Sequence, residues 1–240
     1  EKVRAVTAGY GFTCIISHDY DVWCAGYNEG GQLGDASTTR RHSFVKTNLP
    51  STSRVIDIDA GNRHVCALLE NTDLWCWGDG SYGQLGDFNT TSRTTPVLVQ
   101  AIPANRTAVS LGMGYYHSCA ILDDGNVSCW GLGNYAQSTN PSLPENRTAL
   151  QITAGVHTTC ILLNDSSTSC WGRDVYLGIG SSNWGNNYFR ASLSTPTGLG
   201  VNTTALGSRD MDGDGFTNVL DNCHDGASSW ISNSTTDHDD

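Results

Sequence analysis

Eight of the nine cysteines in this 240-residue chain fall into four pairs of one spacing: Cys14 and Cys24, Cys66 and Cys76, Cys119 and Cys129, Cys160 and Cys170. Thiols arranged in this way could hold a metal, carry redox chemistry or cross-link the backbone. Zinc centres use Cys-x2–4-Cys spacings, dithiol redox centres use Cys-x-x-Cys, and the sequence has neither. His64 and His117 each stand two residues before a first cysteine, but Phe12 and Thr158 hold that place in the other pairs. A ligand is not exchanged for phenylalanine, so these groups are not expected to bind metal. The stretch CAILDDGNVSC, residues 119–129, shows what the spacing serves. Folded about Asp124, it sets Leu122 opposite Asn126, Ile121 opposite Val127 and Cys119 opposite Cys129. Gly125 then falls where a three-residue hairpin turn needs a positive φ. Cysteines at a non-hydrogen-bonded pair of an antiparallel ladder have Cα atoms about 4.5 Å apart, within disulfide range. Each pair is therefore expected to staple a hairpin. Four such bridges imply an oxidising compartment outside the cytosol.

A second constellation is acidic. In DMDGDGFTNVLD, Asp210, Asp212, Asp214, Asn218 and Asp221 occupy positions one, three, five, nine and twelve of a calcium loop. Gly215 takes the sixth position, where the sharp turn needs glycine, and the Phe216 carbonyl would supply the seventh ligand. Oxygen donors at this spacing wrap one hard cation, so calcium is the expected cofactor. No helical pattern flanks the loop, and the segment resembles the calcium repeats of thrombospondin type 3 rather than a helix-loop-helix sensor. Cys223, the odd cysteine, is expected to pair beyond residue 240 or with another chain.

Catalytic patterns are missing. No Gly-x-Ser-x-Gly, His-Glu-x-x-His or phosphate-binding loop occurs, and GLGNYA at 131–136 follows a hairpin strand and opens no helix. His18, His42 and His224 occur once each and are expected in loops. Carboxylates are abundant, but nothing in the sequence pairs them across a mouth. No catalytic residue is assigned, and the chain is not expected to be an enzyme. Sequons at Asn89, Asn105, Asn126, Asn146, Asn164, Asn202 and Asn233 are glycosylation candidates.

The elements that must position these groups are repeats. AGYGFTCIISHDYDVWCAG, AGNRHVCALLENTDLWCWG, MGYYHSCAILDDGNVSCWG and AGVHTTCILLNDSSTSCWG superpose on their cysteines, with registers of 52, 53 and 41 residues. Upstream, apolar residues recur ten, eight and six positions before the first cysteine: Ile56, Ile58, Ala60; Val109, Leu111, Met113; Leu150, Ile152, Ala154. In the first repeat the series is Arg4, Val6, Ala8. Period-two alternation bounded by glycine reads as a half-buried strand. No apolar pattern of helical period is present, so an all-β repeat protein is expected. Trp77, Trp130 and Trp171, each followed by glycine, are expected in the core between repeats rather than as a sugar platform.

AGNRHVCALLENTDLWCWGDGSYGQLGD, residues 60–87, resembles a repeat of the regulator of chromosome condensation family. The likeness lies in AG-x-x-H-x-C-A-L-L, then C-W-G, then G-Q-L-G-D. Gly30-Gly31-Gln32-Leu33-Gly34-Asp35 carries the same exit, which degrades to YAQST and YLGIG in the last two repeats. The resemblance covers residues 1 to about 208 and implies a β-propeller. Paired cysteines in every hairpin resemble the secreted prokaryotic branch. Nucleotide exchange and chromatin binding, known of the nuclear members, are not carried over, because fold does not transmit function.

The expected layout is a propeller-like domain over 1–208, with repeats at about 1–52, 53–104, 105–145 and 146–199 and a partial strand at 200–208. An acidic calcium-binding segment follows at 209–240. The extra strand could close a four-bladed ring. Alternatively the repeats form an open arc whose edges pair with another copy, generating a filament. A third possibility is that the sequence begins inside a longer precursor. A formal net charge of −11 and a pI near 4.8 disfavour nucleic acid and anionic membrane surfaces. No apolar run approaches the roughly 18 residues of a membrane span. The expected role is a non-enzymatic, extracellular or cell-surface structural or adhesive protein that associates with itself head to tail. The alternative is a closed propeller binding an extracellular glycan or protein, and the third reading is a propeller enzyme acting on polysaccharide.

Overall fold

The computed structural model describes residues 2–50, 52–173 and the backbone of 189–194. All of them belong to the unit Glu1–Pro196; the second unit, Thr197–Asp240, lies outside the described residues. The partial strand at 200–208, Cys223, Asn202, Asn233 and every residue of the acidic loop therefore also lie outside them.

The described residues hold strands and turns and no helix. The first sheet orders β1 (Val3–Gly9), β2 (Phe12–Ser17), β3 (Val22–Gly26) and β4 (Arg41–Lys46). The second orders β5 (Val55–Ala60), β6 (His64–Leu69), β7 (Leu74–Gly78) and β8 (Arg93–Leu98). The third has β9 (Ala108–Met113), β10 (His117–Leu122) and β11 (Val127–Gly131). The fourth has β12 (Ala149–Ala154), β13 (Thr158–Leu163), β14 (Thr168–Arg173) and β15 (Phe189–Ser194). Each sheet is an antiparallel meander, one propeller blade. The outer strands β4, β8 and β15 go beyond the hairpins read from the cysteines. The third blade has no outer strand because its repeat is shorter, the register to the next cysteine being 41 residues rather than 52 or 53.

The hairpins fold about the expected centre. Cys119 pairs with Cys129, Ala120 with Ser128 and Ile121 with Val127, and the other three hairpins keep the same register. The turn closes with Gly125 N–H donating to the Leu122 carbonyl at 2.8 Å and Leu122 N–H to the Asn126 carbonyl at 2.8 Å. Gly125 has φ 78°, but Tyr20, Thr72 and Ser166 hold the same left-handed position with φ of 66°, 71° and 68°. Those three turns carry a Cβ where the backbone favours glycine. All four cysteine pairs are joined, with Cα separations of 4.0–4.1 Å.

The inner strands differ from simple alternation. A register shift, the mark of a β-bulge, interrupts each one near its start, between Val55 and Asp57 in β5 and between Ala149 and Gln151 in β12. One extra residue reverses the phase of the side chains. Ile56, Val109 and Leu150 consequently face solvent, while the residues just before them, Val55, Ala108 and Ala149, are buried. His42, expected in a loop, lies in β4.

The core sits between blades. Cys14, Ile16, Val22 and Cys24 of the first blade pack on Val55, Ile58, Val65, Ala67, Leu69 and Trp77 of the second. The same face-to-face arrangement joins the second to the third and the third to the fourth. Each of the first three disulfides thus lies on the face turned toward the next blade. Inner strands touch in the order β1, β5, β9, β12. Among the described residues the four sheets do not close on one another.

Candidate functional site

Among the described residues the blades stand side by side without closing, and the filled junctions show how one blade meets the next. The exit loop of one blade hooks under the tryptophan of the next. Trp77 Nε1–H donates to the Gln32 carbonyl at 2.9 Å, Trp130 to Gln84 at 2.9 Å and Trp171 to Gln137 at 3.1 Å. The glutamine side chain ties its own loop: Gln32 Oε1 accepts Gly30 N–H, Gln84 Oε1 accepts Tyr82 N–H and Gln137 Oε1 accepts Tyr135 N–H. Gly31, at φ +81°, presses so close to the second blade that an added Cβ would lie 2.8 Å from the Arg93 carbonyl oxygen and the Thr94 Cα. The signature aspartates hold their own outer strands, Asp35 with Arg41 at 2.8 Å and Asp87 with Arg93 at 2.7 Å. The Gly-Gln-Leu-Gly-Asp run is therefore an inter-blade connector.

Two residues per junction vary as a pair. Phe12 packs with Val65 at the first. His64 Nε2 meets Ser118 Oγ at 2.9 Å at the second, and His117 Nε2 meets Thr159 Oγ1 at 2.8 Å at the third. The hydroxyls go on to donate to the Gln84 and Gln137 carbonyls. Burial pushes the His64 imidazole down to about 3 and the His117 imidazole to about 4, so both stay neutral. These histidines are buried in the core between blades. Among the described residues no group of three or more His, Cys, Asp or Glu could hold a metal ion.

The back face of the first blade has the same positions with different occupants. Val3, Val6, Thr13, Ile15, Ser17 and Ala25 stand where the second blade has Val55, Ile58, Val65, Ala67, Leu69 and Trp77. Val6 is 68 % exposed and Val3 50 %, against 6 % for Ile58 and 2 % for Val55. Beside them lies a cleft of about 560 Å³ whose lining includes Gly11, Thr13, Ala25, Arg41, His42 and Phe44. Arg41 and His42 match Arg93 and Thr94 in the repeat, so the cleft is the counterpart of the one that Gly31 and Gln32 fill in the second blade. The absent indole at Ala25 deepens it. At the other end, Cys160 and Leu162 are half-buried, whereas Cys66, Leu68, Cys119 and Ile121 are buried.

The inner strands bear one acidic pair that sequence reading left unassigned. Asp59 accepts hydrogen bonds from Thr7 Oγ1 of the first blade at 3.1 Å and from Met113 N–H of the third at 2.8 Å. Burial pushes both Asp57 and Asp59 up, partly offset by the backbone N–H groups of Leu111 and Met113. Their oxygens are engaged in tying three inner strands together. Neither the end face nor this pair had a signal visible in one repeat; only the alignment of Ala25 against three tryptophans marks the first blade as different. The sequons Asn89, Asn105, Asn126, Asn146 and Asn164 are all exposed.

Comparison with known proteins agrees with this architecture. Descriptions of the regulator of chromosome condensation (RCC1) repeat match residues 20–68 and 72–121, and in a second form 55–84 and 108–137. The chain is similar to the ultraviolet-B receptor UVR8 of Arabidopsis thaliana, 30 % identical over 137 residues, which is 57 % of this chain and 31 % of that protein. It is also similar to the human E3 ubiquitin-protein ligase HERC2, 29 % identical over 140 residues, covering 57 % of this chain and 3 % of the ligase. The match thus spans less than a third of either relative. Among solved structures, Prp20p from Saccharomyces cerevisiae superposes with a TM-score of 0.69 at 20 % identity, over 81 % of this chain and 50 % of Prp20p.

Proposed function

Since the chain is a relative of the regulator of chromosome condensation repeat family, we propose that it is a non-catalytic protein-binding propeller module working outside the cytosol. The observation that carries this is the contrast between the filled faces of the second to fourth blades and the open, cleft-bearing face of the first. Protein binding suits the fold: Prp20p binds Gsp1p and histones. The ligase name of HERC2 transfers no activity across a match to 3 % of its length. Four joined cysteine pairs fit an oxidising, extracellular setting, and no helix among the described residues is long and apolar enough to cross a membrane.

The partner we propose for the open face is a second copy of the chain. The far end of the row offers the same kind of surface that fills the inner junctions, and a head-to-tail contact that does not close generates a filament. Electron microscopy of the purified chain at millimolar calcium tests this. Strings or fibres of arcs support end-to-end association, and single particles at every concentration contradict it. Asp210, Asp212, Asp214, Phe216, Asn218 and Asp221 are proposed to hold calcium in the tail. Chelation should then speed proteolysis after about residue 208, and an unchanged cleavage pattern would remove the calcium reading.

A further inference from the structure

One rim of the blades, made by the exit loops and the turns between first and second strands, carries a tyrosine at each of three junctions. At the first, the Arg63 guanidinium stands 6.0 Å from the centre of the Tyr27 ring and 3.6 Å from the Glu29 carboxylate. At the third, the Arg173 guanidinium stands 4.4 Å over the Tyr135 ring, with the His157 ring at 5.0 Å. The chain thus meets both outer tyrosines with a cation of its own.

The middle junction is different. Tyr116 holds the repeat position of Arg63, three residues before the first cysteine. Its ring centre lies 4.7 Å from that of Tyr82 and 4.4 Å from that of Tyr115, which meets it edge-on. Among the described residues no arginine or lysine stands over these three rings. Tyr82 is 47 % exposed. Partial burial raises the Tyr116 hydroxyl, and Tyr115, Tyr82 and the Asp79 carboxylate raise it further, so the phenol stays neutral in a negative setting. Asp79 is held in place by Ser81, whose N–H and hydroxyl both donate to Oδ1, at 3.0 and 2.6 Å.

We propose that Tyr82, Tyr115 and Tyr116, beside Asp79, form a docking site for an arginine side chain of a partner protein. The ring faces are electron-rich and attract a cation placed over them. A guanidinium is planar, stacks on such faces and donates to a neighbouring carboxylate, which an ammonium does less well. The flanking junctions show which chemistry these rim tyrosines take. A net charge of −11 draws cationic partners toward the chain. The site is separate from the end face and does not require end-to-end association.

The test titrates the full chain into a labelled tetra-arginine peptide at physiological salt, with a tetra-citrulline peptide of equal length as the uncharged probe. Saturable binding is expected, with citrulline weaker by about fivefold or more, the span of a partly exposed cation–π contact. Tyr116→Arg supplies the cation that Arg63 supplies at the first junction, and should abolish the preference for arginine. Tyr82→Ala, at an exposed position, should weaken binding by a similar factor without lowering the melting temperature, whereas Tyr10→Ala, an exposed tyrosine outside the cluster, should leave it unchanged. Equal affinity for the two peptides would overturn the proposal. So would arginine binding that survives Tyr82→Ala and vanishes only with added salt, since that would be diffuse attraction to an acidic surface.

Discussion

The faces between blades and the back face of the first blade are built on the same strands and differ in a few side chains. Where a preceding blade is present, the face carries a tryptophan that donates to the incoming glutamine carbonyl and leucine or isoleucine around it. On the first blade, Ala25 replaces the tryptophan, Thr13 replaces Val65 and Ser17 replaces Leu69. The first face is thus polar enough to stand in water, yet keeps Val3, Val6 and Ile15 and a cleft shaped for a loop. A repeat scaffold becomes core or docking surface according to what its next neighbour is. Buried interfaces of this chain are fixed by indoles and disulfides; the open one keeps the backbone shape without those anchors.

The largest effect should separate the two faces outright. Trp77→Ala removes a buried indole and its hydrogen bond, and is expected to cost about 3–5 kcal/mol in denaturant unfolding. Val6→Ala on the open face should stay within about 0.5 kcal/mol. Similar losses at both sites would mean that the first face is covered. Next in size is the effect of a staple. Replacing Cys66 and Cys76 together by serine should cost about 2–3 kcal/mol from loop entropy, plus the burial of two hydroxyls. With limiting reductant, mass spectrometry should find the Cys160–Cys170 pair opened before the three others, because Cys160 alone is not fully buried. Random order would dissolve the distinction between the last blade and the inner ones.

A pH titration sharpens the comparison further. His64 and His117 have folded values far below that of an unfolded histidine, so the unfolded chain binds more protons below about pH 6.5. Their contribution is intact above that value and lost as pH falls toward 4, with a slope approaching about 1.4 kcal/mol per pH unit for each histidine. Asp57 and Asp59 oppose this, because their raised values make the folded chain hold protons more readily than the unfolded one. The double variant His64→Phe with Ser118→Val copies the Phe12–Val65 pair and should flatten the slope by one histidine's share. An unchanged slope would mean that the junctions are not interchangeable. A stabilising effect is expected at a turn: Thr72→Gly relieves a left-handed β-branched residue and should stabilise by about 1 kcal/mol, whereas Gly125→Thr should cost more than that, because an added Cβ would also overlap the Thr148 Cβ.

Much of this was legible from the cysteines. A separation of ten fixed the hairpin centre, and the hairpin fixed which residues face each other, because an antiparallel ladder has only one register once its turn is placed. The inner strands were harder. Ile56, Val109 and Leu150 fit a period of two, but a bulge one residue long reverses the phase, and no residue type announces it. The outer strands were missed because RHSFVK and RTTPVL carry little apolar alternation; their outward faces are solvated and Pro96 sits in an edge strand, where its missing N–H costs nothing. The exposed back face of the first blade could not be read from any single repeat. It emerges from the absence of one indole relative to its neighbours, and from the exposure of Val6, which depends on what packs against it.

Whether the first blade's back face receives another repeat surface, as proposed, can be read most directly from sedimentation velocity across a wide concentration range. The wild-type chain should show mass-action growth beyond the monomer, and Val6→Arg should stay a monomer at all concentrations, with the melting temperatures of the two matching. A wild-type chain that stays monomeric, or a Val6→Arg chain that associates equally well, would contradict the proposal.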